Sequence, residues 1–369
     1  MAPISPPMQP KTKSTHFMGV QALRFVAAAL VLVAHSTFVI AEKMPHFNYE
    51  AWRKGGIGVF IFFVISGFVM VLSVKNLQSR NDGWKLFAKR RVIRIVPMYW
   101  LATTLKLIAV LAIPAQTLHS GFDFTHTVGS YLFLPAHNPL GEVKPLHAVG
   151  WTLNYEMFFY LIFTIALFIH CSPVIFSTVL FVALAFIGLI FDNGKLGAIG
   201  IYTEPFILNF IFGMLIAHFY LSGFRVKYWI ATFFFILGAL SIAFSDHWGS
   251  YFGFPRQGLS LGPAMIVFGV AFLEPFFQER NFKFQLAQQL GDSSYSLYLF
   301  HPFLLAAIAV TLRKLNWHNY ISALFIMTGL SIIAGWLIYR YIELPVTRII
   351  NEKNMKKIDL SLFPTKAKL

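Results

Sequence analysis

Ten stretches of 17 to 24 mainly apolar residues, at 17–40, 57–74, 95–113, 150–170, 173–191, 205–221, 228–245, 258–275, 293–312 and 320–342, dominate this sequence. Crossing the hydrocarbon core takes about 20 such residues in a helix. Backbone amides in lipid must bond within their own segment, so a chain of this pattern has few alternatives to helices. The expected fold is an all-α, polytopic membrane bundle of about ten transmembrane helices. Composition agrees: 57% of residues are hydrophobic and 12% charged, against roughly 25% charged in soluble domains. Mean hydropathy is +0.65. These values exclude a disordered chain, a fibrous repeat and an ordinary cytosolic enzyme. A single cysteine, Cys171, excludes an intrachain disulfide and a cysteine metal cluster.

The net charge of +15 would suit nucleic acid, but its distribution points to the bilayer. With the N-terminus inside, 20 Lys and Arg fall in inner loops and tails and 8 in outer loops. The positive-inside rule then places both termini in the cytoplasm, in a cytoplasmic (inner) membrane, with lipid and not nucleic acid as the partner. The first segment is long for the core of a cleaved signal peptide, and nine more follow it. Residues 1–16 form an N-terminal tail, 17–348 the membrane domain and 349–369 a basic tail. The longest stretch between segments, 114–149, holds four prolines and is read either as a binding loop or as a plain connection.

An ionisable residue at mid-bilayer costs about 2.5–3.5 kcal/mol on insertion scales, which makes each one a functional candidate. Arg24 and His35 are eleven residues apart, on one helix face and separated by about 16 Å along the axis. Glu156, counted inward from Trp151, comes about 9 Å below the outer surface, close to the depth of His35. A carboxylate beside an imidazole can orient it and stabilise its cation, which makes a general base for a hydroxyl; the alternative is a structural pair that holds helices together. His301, counted from the start of its segment, comes at the depth of Arg24 and is a helix-packing group or a second functional ring. Arg91 and Arg94, in the loop before the third segment, share a face near a helix start. They suit either a phosphate-bearing donor or the headgroups of lipids. The Ser66-Gly67 step suits close helix approach, with a Ser66 nucleophile as the weaker reading. No His-x-x-x-His or Cys-His spacing suggests a metal.

Taken in order, these segments resemble the membrane acyltransferase 3 family. The resemblance rests on Gln21-Ala-Leu-Arg24-Phe with His35, Phe62-Phe63-Val-Ile-Ser66-Gly67-Phe68, and Arg91-x-x-Arg94 with Pro97-x-Tyr99-Trp100. It continues with Trp151-Thr-Leu-x-x-Glu156, Leu290-Gly291, Ser294-Tyr295-Ser296-x-Tyr298-Leu299-x-His301 and Glu343-x-Pro345. The opening is most similar to the exopolysaccharide O-acyltransferase branch. Where relatives often carry an acid before the Phe pair this chain has Phe60, and their Trp-Ser-Leu is Trp151-Thr-Leu here. Many relatives also have a C-terminal hydrolase domain, which this chain is read as lacking. The resemblance implies acyl-CoA, acetyl-CoA in the first instance, as donor substrate with no bound cofactor. Its phosphates would rest on Arg91 and Arg94, with Arg24 lining the route. His35, oriented by Glu156, would deprotonate a hydroxyl of a polysaccharide or lipid-linked glycan, or relay the acyl group, with Ser66, Trp151, Tyr295 and His301 in support. A small-molecule glycoside acceptor, or a glycan transporter without acyl chemistry, are the rival expectations.

Overall fold

A computed structural model of the chain describes residues 17–47, 49–75, 77–112, 122–191, 193–244, 261–279 and 285–352. Among these residues there is no β-strand, only an isolated bridge between His137 and Val143. Twelve α-helices follow one another among the described residues: α1 (Met18–Lys43), α2 (Ile57–Val74), α3 (Gly83–Ala112), α4 (Phe124–Tyr131), α5 (Trp151–Phe168), α6 (Pro173–Ile190), α7 (Leu208–Leu221), α8 (Tyr228–Ala243), α9 (Leu261–Glu279), α10 (Gln285–Asp292), α11 (Ser294–Lys314) and α12 (Tyr320–Ile338). Nine helical stretches among the described residues are long and apolar enough to cross a membrane, and α8 is a shorter apolar helix. The protein is a multi-pass, all-helical membrane bundle.

Helix ends pair as an alternating path requires. At the end where α1 starts, the near end, Phe17 meets Tyr220 of α7 edge-on at 5.2 Å and Trp84 of α3 meets Phe168 of α5 at 5.2 Å. At the far end, Lys54 Nζ donates to Ala243 O at 2.9 Å, and His46 Nε2 donates to Trp317 O at 3.1 Å.

Without a hydrophobic drive between helices in lipid, close packing at small residues holds the bundle. The Ser66-Gly67 step does this: a Cβ at Gly67 would lie 2.1 Å from Phe210 O, and one at Gly213 would lie 1.9 Å from Val64 O. Helices α2 and α7 therefore touch backbone to backbone. Phe63, Phe159 and Phe210 stack beside this crossing, with Phe63–Phe210 at 4.8 Å and Phe159–Phe210 at 4.4 Å. Phe60 is buried against Phe206 at 5.3 Å, so the position where relatives often carry an acid is apolar packing here.

Helix α1 starts without a side-chain cap of its own. Glu274, 0% exposed on α9, supplies one, its two oxygens accepting from Met18 N at 2.6 Å and Gly19 N at 2.9 Å. A carboxylate there answers both the unpaired amides and the positive end of the helix.

Two expectations change. Helix α3 begins at Gly83, not near 95, so Arg91 and Arg94 lie more than two turns inside a helix. Arg91 and Arg94 cannot draw on free amides of a helix start; Pro97 lies inside α3. The stretch 114–149 contains α4, and Asp123 caps it by accepting from His126 N at 2.6 Å. Residues 1–16, 113–121 and 353–369 lie outside the described residues, and with them most of both tails.

Candidate active site

A cavity of about 490 Å³ opens among α1, α2, α3, α5 and α11. Six of the residues singled out from sequence line it: Arg24, Ser66, Arg91, Arg94, Glu156 and Tyr295. His35, His301 and Trp151 do not line it.

The cationic part of the cavity is built by α1 and α3. Asp292, at the end of α10, accepts from Gln21 Nε2 at 2.5 Å, and Gln21 Oε1 accepts from Arg24 Nη1 at 3.1 Å. Gly291 allows this approach, because a Cβ there would lie 2.2 Å from Gln21 O. Arg91 packs its guanidinium over Phe87 at 5.5 Å and Tyr160 at 5.6 Å, and its buried Nε has no hydrogen-bond partner. The Arg94 guanidinium forms no hydrogen bond or ion pair among the described residues. Three guanidinium groups with spare donors on one cavity have the chemistry to hold an anion, since Arg forks match phosphate oxygens.

The acids face these arginines. Glu156 accepts from Ser66 Oγ at 3.4 Å and from Tyr160, four residues on along the same helix face. Glu343 is buried in a π-helical turn, Tyr339–Glu343, and accepts from Ser296 Oγ at 2.6 Å. It lies within electrostatic reach of Arg94 and Arg24. Tyr160 is not singled out by the sequence, and Glu343 enters only through the Glu343-x-Pro345 step, without a role at the site. The Thr152, Glu156, Tyr160 spacing was the available signal for the first. Glu343 has no site role on sequence grounds because it falls one residue beyond the counted end of the last segment, at 342. Tyr295 donates to Ile95 O at 2.8 Å and so ties α11 to α3 beside the arginines. Trp151 meets Tyr155 edge-on at 5.9 Å and packs in the aromatic cluster.

The expected pairing of His35 with Glu156 is replaced by another. His35 Nδ1 lies 2.6 Å from His301 Nε2, and the two rings stack at 4.9 Å. Counting residues from segment starts put His301 too near the α1-start end. Such counting assumes that all segments begin at one level, whereas α10 carries the chain to the level of Gln21 before α11 begins.

The bonding fixes the tautomers. Pro302 has no amide hydrogen to give to Tyr298 O, four residues back, which leaves that carbonyl free. His301 Nδ1 donates to it at 2.7 Å, and to Leu297 O at 3.2 Å. A carbonyl only accepts, so Nδ1 of His301 carries the proton and its Nε2 is the acceptor. His35 therefore donates from Nδ1, and its Nε2 holds the lone pair in the neutral ring. That nitrogen makes no hydrogen bond among the described residues and can take a proton from a substrate hydroxyl. The pair sits just behind the cavity wall: Tyr298, a lining residue, is 6.0 Å ring to ring from His301 and 6.1 Å from Phe62.

Beyond the pair, His147 donates from Nε2 to Leu299 O at 2.8 Å and stacks on Phe303 at 5.1 Å. Burial pushes its pKa down to about 4, so this ring is neutral at neutral pH. Among the described residues no three His, Cys, Asp or Glu side chains gather as a metal site.

A membrane bundle with three arginines lining one cavity and a tautomer-fixed histidine pair one ring behind it carries groups suited to group transfer within the bilayer. The chain belongs to the acyltransferase 3 family, whose acyltransferase domain matches residues 19–340. It is 36% identical over 288 residues to the exopolysaccharide production protein ExoZ of Rhizobium meliloti, covering 74% of this chain and 82% of that one. It is 28% identical over 180 residues to an O-acetyl transferase of Shigella phage Sf6, covering 46% and 52%. It is 25% identical over 145 residues to the acyltransferase MdmB of Streptomyces mycarofaciens, covering 38% and 36%. No solved structure matches the chain. The protein is a membrane acyltransferase.

Proposed function

We propose that the protein moves an acyl group, acetyl in the first instance, from cytoplasmic acyl-CoA to a hydroxyl of an extracytoplasmic polysaccharide or its lipid-linked precursor. The observation that carries this reading is the placing of Arg24, Arg91 and Arg94 on one cavity with the His35–His301 pair directly behind its wall. The donor's phosphates would bind the arginines from the near end, which the charge bias puts in the cytoplasm, with both termini on that side of the inner membrane. The pantetheine arm would run along the cavity past Ser66 and Glu156 toward Phe62 and Tyr298. There His35 Nε2 would take the proton of the acceptor hydroxyl as its oxygen attacks the thioester carbon. The carbon–sulfur bond breaks, the acyl group stays on the oxygen, and the proton passes from His35 to the leaving thiolate. Glu156 would act within the cavity, as a counter-charge to the arginines, and no longer as the partner of His35. The names of the relatives support glycan chemistry: one is an exopolysaccharide production protein and another an O-acetyl transferase.

Inverted membrane vesicles given radiolabelled acetyl-CoA should label polysaccharide, and His35→Ala should abolish the label. Full labelling by that variant at normal expression would refute the assignment. Mass spectrometry of surface glycans from a deletion strain should show the acyl group missing.

A further inference from the structure

The far end of the bundle carries a group of exposed and half-buried aromatic and basic residues that the transfer chemistry does not use. We propose that Trp52, Tyr49 and Tyr320 with Arg53, Arg313 and Lys314 form a docking subsite for an acidic glycan chain, the part of the acceptor next to the sugar that is acylated. This inference rests on the glycan-acceptor reading above and adds the charge and the seat of the acceptor.

The subsite is joined to the histidine pair by the chain itself. Trp52 N donates to Thr37 Oγ1 at 3.0 Å. Thr37 is two residues beyond His35, about 3 Å along the helix axis. The loop after α1 thus folds back to the level of the proposed base. Tyr49 lies three residues from Trp52, at most about 11 Å away. Its ring stacks on Tyr320, the first residue of α12, at 4.1 Å and 25°. His46 fastens the same loop to the end of α11 through Trp317 O. The platform therefore spans the ends of α1, α11 and α12, and the first two of these helices carry His35 and His301.

Its chemistry fits a charged sugar chain. Tyr49 is 56% and Trp52 38% exposed. Aromatic faces are electron-rich and attract the weakly positive C–H faces of a pyranose ring. Residues 42–54 and 313–320 hold five Lys and Arg against two Glu. Arg53 and Arg313 are exposed, and their guanidinium groups make no hydrogen bond or ion pair among the described residues. Open guanidinium forks are matched by carboxylates. Rings that only anchored the bundle at the lipid boundary would interact with headgroups one by one. Here a ring of the loop after α1 stacks on a ring of α12 beside the site.

The test uses the full chain in nanodiscs, with short oligosaccharides cut from the surface polysaccharide of a strain deleted for this protein. Wild-type protein should bind these fragments without donor. Tyr49→Ala/Tyr320→Ala should raise KM for them about tenfold, equivalent to about 1.4 kcal/mol, with kcat and the KM for acetyl-CoA unchanged. Arg53→Gln/Arg313→Gln should raise the same KM at low salt, with the difference shrinking at high salt. An unchanged acceptor KM in both variants overturns the proposal. So does an equal rise in donor and acceptor KM, which marks a structural anchor; Tyr49→Leu, which keeps bulk without the ring face, guards against misfolding. Binding that depends on these residues without any acyl transfer by wild type keeps the subsite and removes the acceptor reading. Transfer that is indifferent to them does the reverse.

Discussion

Replacing His301 by Leu tests the histidine pair most directly. Leu fills much of the space but accepts no hydrogen bond, so His35 Nδ1 loses the acceptor that holds it at 2.6 Å. Two consequences follow. The neutral His35 ring is no longer restricted to the tautomer with its lone pair on Nε2. Its cation, formed when the hydroxyl proton arrives, also loses a hydrogen bond. A hydrogen bond to a charged group contributes about 1.5–3 kcal/mol. At about 1.4 kcal/mol per factor of ten, kcat should fall between about 10- and 150-fold. The KM for acetyl-CoA should hold, because His301 does not line the cavity that carries the arginines. His301→Gln places an amide oxygen near the lost nitrogen and should restore a large part of the rate. Nitrogen chemical shifts of labelled imidazole should show one His35 tautomer in wild type and a mixture in His301→Leu. A kcat for His301→Leu within twofold of wild type, with an unchanged tautomer, would refute this reasoning. A larger loss in Glu156→Gln accompanied by the tautomer change would return the orienting role to the carboxylate.

Arg94→Gln and Arg91→Gln should each raise the KM for acyl-CoA by about 10- to 150-fold through loss of a charge-assisted bond, with little effect on acceptor KM; steady-state kinetics with varied donor checks this. Gly213→Val should prevent accumulation of folded protein, since a Cβ there would lie 1.9 Å from Val64 O, and size-exclusion profiles of detergent extracts would show it. His147 has a folded pKa near 4, below the ordinary 6.5, so the unfolded state binds its proton first. Its stabilising effect is complete above pH 6.5 and is lost as pH falls toward 4, by about 3 kcal/mol in all. His147→Phe should flatten that part of a Tm-against-pH curve.

The residues at the site were legible because a membrane makes charge conspicuous. Arg24, His35, Glu156 and His301 stand out in apolar surroundings, where each must have a reason to be there. The close approach of α2 at Ser66-Gly67 was equally readable, since small residues admit a backbone neighbour. Tyr160, and the place of Glu343 at the site, were harder to see. A tyrosine is unremarkable among so many aromatics, and Glu343 reaches the site through a π turn that sequence periodicity does not show.

Sequence alone determined that the chain crosses the membrane as helices and which of its side chains are too polar to lie there without purpose. Both follow from local rules, the length of an apolar run and the cost of charge in lipid. Only the tertiary structure decided that His35 meets His301 and that Glu156 turns to Ser66 and Tyr160. The relative depth of helices far apart in sequence depends on where their backbones touch, as Gly291 does at Gln21. No count along a single segment contains that contact.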